Sequence, residues 1–124
     1  MHCKVLFVGT EMNLRQIYAD CPDSSSETNA EMAFSYDWLS PYSREELLNK
    51  GVHASPIEYK DCEFTKEDTE LYDKFILGRY FYDCFDIRDN TSNHRISELS
   101  DEDIDNFFKS LPEETHFFVC DGHL

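Results

Sequence analysis

The sequence predicts an α/β fold, with α+β left open, as one compact domain over residues 1–124, and three observations carry that reading. Short apolar runs rich in β-branched and aromatic residues lie near both ends, at 4–9 and 115–120, and read as strands. Capped segments with helical spacing fall between them. A chain of 124 residues with ten Phe, seven Tyr and one Trp is long enough and aromatic enough to enclose one core. The expected architecture is therefore a small sheet containing the first and last strands, packed by two or more helices; strand order and direction stay open.

In chain order, residues 4–9 end on Gly9-Thr10 and form the first predicted strand. Leu14, Ile17 and Tyr18 then recur at helical spacing over 13–19, before Cys21-Pro22 and Ser24-Ser25-Ser26 break the pattern. Residues 31–39 fit two periods, since Phe34, Tyr36 and Trp38 alternate while Met32, Ala33, Tyr36 and Leu39 share a helical face. Ser43-Arg44-Glu45-Glu46 is a capping box opening a short helix that Gly51 closes. Ile57 and Tyr59 suggest a strand within 52–64, restricted to an edge by Pro56.

The longest element is expected over 65–85, with Thr65 and Asp68 at its cap. Its second half, from Leu71 to Phe85, is apolar on nearly every side, as in a helix buried against the sheet. A polar turn follows at 86–93. Ser100 caps a last helix whose Ile104, Phe107, Phe108 and Leu111 face inward until Pro112 ends it. Residues 115–120 form the final strand beside the first, with a short tail at 121–124.

Charge points to function. Twenty-six acids oppose eleven bases, for a formal charge of −15, and fifteen acids against six bases lie between 56 and 105. Such a field speeds association with cationic surfaces and repels nucleic acid and anionic membranes. No apolar run approaches the length of a membrane span, and the opening segment is too short for a signal peptide, so a cytoplasmic setting is expected. The five cysteines are odd in number and lack a C-x-x-C pair, which fits reduced, packed thiols.

The leading expectation is a small acidic inhibitor that is not an enzyme and masks a basic partner, such as a nuclease or other nucleic-acid-binding protein, in the manner of a toxin-immunity protein. Its candidate contact residues are Glu58, Asp61, Glu63, Glu67, Asp68, Glu70 and Asp73, with Asp101, Glu102, Asp103 and Asp105 as a second cluster and Trp38 as an anchor. Helix starts account for part of this charge. An alternative is a phage-type anti-defence protein that mimics nucleic acid by repeating carboxylates along a surface.

A third reading uses the turn from Gly9 to Arg15. The run Val5-Leu6-Phe7-Val8 into Gly9-Thr10-Glu11-Met12-Asn13-Leu14-Arg15 resembles the opening of the low-molecular-weight tyrosine phosphatases, whose first strand enters a C-x5-R phosphate loop. The likeness covers about fifteen residues. It places Arg15 at the phosphate-binding offset but Gly9 where the nucleophilic Cys would stand, which implies a catalytically dead copy. What it leaves is an anion site of turn amides at Thr10 and Asn13 with Arg15 as counter-charge, in a ligand-binding or enzyme domain.

Metal chemistry is read as absent, and no cofactor is expected. Taking Asp89 as the first position of an EF-hand loop puts His94 where Gly is needed and Ser100 where a bidentate Glu closes the site. His2, Cys3, His116, Cys120 and His123 could be drawn together by strand pairing, yet none has the spacing of a structural zinc site.

Overall fold

A computed structural model describes residues 2–21, 36, 38–48, 58–88 and 94–123. Five strands form one mixed sheet in the order β2-β5-β1-β3-β4: β1 is His2–Gly9, β2 Trp38–Pro41, β3 Asp83–Asp86, β4 His94–Arg95 and β5 His116–His123. β1 is central, running parallel to β3 and antiparallel to β5. The expected pairing of the first and last strands is present, and the α/β reading holds.

Because β1 is covered on both faces, it needs an unbroken apolar run rather than alternation. Leu6 and Val8, with Cys84, Phe117 and Val119, pack on one face against Leu47, Leu71, Phe75, Ile104 and Phe108. Val5 and Phe7, with Phe85, Phe118 and Cys120, pack on the other against Leu14, Ile17, Tyr59 and Tyr36. The first layer is built by α2 (Arg44–Leu47), α4 (Thr69–Leu71) with its continuation, and α5 (Asp101–Ser110). The second is built by α1 (Glu11–Asp20) and α3 (Tyr59–Cys62).

The caps expected at Ser43 and Ser100 are present, and α1 has a further one at Thr10 that the sequence reading does not include. Thr10 and Asn13 close a capping box at α1, Ser43 and Glu46 another at α2, and the Ser100 hydroxyl accepts from the Asp103 amide at 3.2 Å. Ile104, Phe108 and Leu111 are buried, while Phe107 is half-buried beside them. Gly51 lies outside the described residues, as do the Ser24 to Ser26 stretch and most of the 86–93 turn. At 31–39 the strand period prevails from Trp38 onward.

Four expectations need correction. Residues 65–85 are not one helix. Thr65 to Asp68 form a turn in which the Thr65 amide donates to the Asp68 carboxylate at 3.3 Å, so the box-like pairing exists but precedes the helix. α4 then passes into a π-helical turn, Tyr72–Leu77, and stops at Gly78, whose amide donates to the Asp73 carbonyl five residues back at 2.8 Å. A Cβ at Gly78 would lie 2.5 Å from the Lys74 carbonyl oxygen, and Arg79 takes a left-handed φ of 52°. The apolar run thus carries two periods, a helical one through Leu71, Phe75 and Ile76 and an extended one through β3.

Of the strand expected within 52–64, residues 52–57 with Ile57 lie outside the described residues, and Tyr59–Cys62 form the helix α3 instead, whose cap residue Glu58 donates its amide to the Asp61 carboxylate at 3.1 Å. Among the described residues there, only Phe64 reaches the sheet, exchanging 2.9 and 2.8 Å main-chain bonds with Phe117. The expected tail is strand as well, since β5 continues to His123 and pairs with both β1 and β2. Finally, Asp86, assigned to a turn, ends β3 and grips Arg88 through two bonds of 3.0 Å.

One polar group sits inside the second layer. Asp83 is 2% exposed and accepts from Arg95 at 3.0 Å, from the Ser97 hydroxyl at 2.7 Å and from the Tyr36 hydroxyl at 3.3 Å. Besides the neighbouring Cys84 amide at 3.0 Å, its partners come from three other segments, which ties β4 and the segment before β2 to the sheet. Tyr36 lies so close over Gly122 that a Cβ there would meet its ring at 2.8 Å.

Candidate partner-binding surface

The sheet's two layers differ in charge. Glu67, Asp68, Glu70, Asp73, Asp101, Glu102, Asp103 and Asp105 are all exposed on the layer of α2, α4 and α5. The fold turns three of that layer's cations toward the main chain. Lys74 donates to the Leu47 carbonyl at 2.8 Å, Lys66 to the Leu111 carbonyl at 2.7 Å, and Arg44 to the carbonyls of Lys60 and Glu63 at 2.8 and 2.5 Å. Leu47 and Leu111 close α2 and α5, where helix carbonyls lack intrahelical partners and attract cations. These three side chains therefore brace the fold through main-chain carbonyls, and Arg44 also lines the groove of acids beside it.

Glu45 from α2 joins Glu67, Asp68 and Glu70 around one groove of about 480 Å³, with Leu48 and Leu71 on its apolar side. Three of these acids are among the predicted contact residues. Glu45 was missed because the capping box gave it a sufficient structural reason, and no sequence spacing links 45 to 67–70.

The other predicted contacts divide. Asp101 meets Arg79 at 2.7 Å and Asp105 bonds the same guanidinium, so this pair is clamped, leaving Glu102 and Asp103 in the first turn of α5. Glu58 and Asp61 belong to α3 on the opposite layer, where Glu58 pairs with Lys60 at 3.3 Å. Glu63 is bonded to the ring of His116. Trp38 lies in edge strand β2, opposite His123.

The turn proposed for anions is arranged for a different task. The Asn13 main-chain N–H donates to the Thr10 hydroxyl at 3.2 Å, and the Thr10 main-chain N–H and hydroxyl donate to the Asn13 side-chain Oδ1 at 3.3 and 2.6 Å. Arg15 pairs with Glu11 at 3.0 Å and stacks 4.6 Å over the Tyr59 ring. Thr10, Asn13 and Arg15 thus close the helix start rather than converge on an open cradle, and Gly9 is filled by Ile87, 3.0 Å from where its Cβ would stand.

Strand pairing sets His2 against His123, with ring centroids 5.3 Å apart, and His2 bonds Asp121 at 3.1 Å, whereas His116 lies at the far end of the ladder beside Gly9. Among the described residues, no group of three or more His, Cys, Asp or Glu could hold a metal ion. All five cysteines are free thiols; Cys62, Cys84 and Cys120 are buried, and burial, reinforced by Asp61, pushes the Cys62 thiol up to about 12. No helix among the described residues is long and apolar enough to cross a membrane. No protein-family model, curated protein or solved structure matches this chain.

Proposed function

We propose that this chain is a small protein-binding inhibitor that masks a basic partner, a nuclease or another nucleic-acid-binding protein, by occlusion. The observation that carries the reading is the division of labour on one layer: its acids stand outward while Arg44, Lys66 and Lys74 are drawn to carbonyls. Lysines and arginines of the partner would enter the groove of Glu45, Glu67, Asp68 and Glu70, with Glu102 and Asp103 as a second point of contact. Five free thiols fit a reducing compartment, so the cytoplasm is the setting this reading implies.

Affinity capture from the native cell at low and moderate salt identifies the partner, and titration of the purified partner then tests the surface. The triple substitution Glu67→Gln, Asp68→Asn and Glu70→Gln should weaken binding about tenfold at low salt and flatten its salt dependence. Recovery of acidic proteins alone, or of none, refutes the proposal. Competition with DNA for several unrelated basic proteins would identify a nucleic-acid mimic instead.

A further inference from the structure

Carboxylates give attraction and rate, but a tight interface also needs a desolvated anchor, usually aromatic. The segment between the π-helical turn and β3 supplies one. Tyr80 is 51% and Tyr82 60% exposed, and with His2, Cys3 and Lys4 they line a groove of about 380 Å³.

This segment is held in place rather than loose. Arg79, in its left-handed conformation, is gripped by Asp101, by Asp105 and by the Asp101 carbonyl at 2.8 Å. The Tyr80 ring packs 5.4 Å from that of Phe75, and the Lys4 ammonium lies 4.7 Å from the Tyr80 ring centroid and 5.6 Å from that of Tyr42. The Tyr82 amide donates to the Lys4 carbonyl at 2.8 Å. The Tyr80 ring and the Tyr82 backbone are thus already fixed before binding, and the cations beside them already face carboxylates or rings.

We propose that the groove of Tyr80 and Tyr82 seats an apolar side chain of the basic partner, while lysines and arginines flanking that side chain meet Glu102 and Asp103 on α5. The same clamp that fixes Arg79 places the start of α5, where Glu102 and Asp103 stand in the first turn, next to this segment. Charge selects the occupant: at −15 a second copy, a nucleic acid or an anionic membrane is repelled, and a cationic protein is drawn in. The inference rests on the masking function proposed above and adds where its binding energy is concentrated.

The test compares purified basic partner binding to the wild type, Tyr82→Ala, Tyr82→Phe and Met12→Ala. Met12 is 78% exposed on the opposite layer and serves as an apolar control. Tyr82→Ala should weaken binding about 30-fold at low and at moderate salt alike, with Tyr82→Phe and Met12→Ala near wild type. A partner that binds Tyr82→Ala within about twofold of wild type overturns the anchor and leaves the masking function standing. Equal losses in Tyr82→Ala and Met12→Ala also overturn it, and failure to find any basic partner removes both.

Discussion

Asp83 shows what a buried charge demands. Its carboxylate is inside the protein, and it stays there because Arg95, Ser97 and Tyr36 all donate to it. Replacing Asp83 with Ala strands a guanidinium and two hydroxyls, so urea unfolding should show a loss of about 3 kcal/mol, well above a surface acid such as Glu67→Gln. Cys62 makes a second demand through its thiol, whose pKa burial raises from an ordinary 9.0 to about 12 in the folded chain. The unfolded chain releases this proton first, so the stabilisation is complete below pH 9 and is lost as pH rises toward 12. Burial also raises Cys84 and Cys120 and the Tyr59 hydroxyl, all with the same sign. The melting temperature should fall steadily from pH 9 upward, and Cys62→Ala should make that fall shallower.

Among the elements, α4 and its π-helical turn depend on a missing side chain. Gly78→Ala pushes a methyl group into the Lys74 carbonyl, so the turn must open or shift; thermal melts should show about 1–3 kcal/mol of destabilisation. The same position explains what could be read from the sequence. Caps are local, and Ser43 and Ser100 announced α2 and α5 because each needs only the next three residues, whereas α1 was announced by its apolar spacing and its Thr10 cap was taken for an anion turn. The boundary at Gly78 was hidden because large apolar residues recur on both sides of it, from Leu71 to Leu77 and from Tyr80 to Phe85, as both a buried helix and a strand buried on two faces require. The groove was half legible for a related reason: Glu67 to Glu70 are a visible cluster, whereas Glu45 reaches them only through the packing of α2 on the sheet. Tyr80 and Tyr82 were assigned to a buried helix, and their exposure follows from the chain leaving that helix at Gly78.

Across the whole molecule, the sheet separates two chemistries. The layer of α2, α4 and α5 carries an exposed acid set, and the layer of α1 and α3 holds buried Cys62 and Tyr59 under Arg15 and Lys60. The partner is accordingly expected to contact one layer only. The central position of β1 has a different consequence, concerning synthesis. Its parallel neighbour β3 lies about eighty residues downstream and its antiparallel neighbour β5 more than a hundred. A ribosome must therefore release most of the described chain before β1 gains its strand neighbours; α1 can shelter Val5 and Phe7 early, but Leu6 and Val8, on the other face, stay open to chaperones or to aggregation until then.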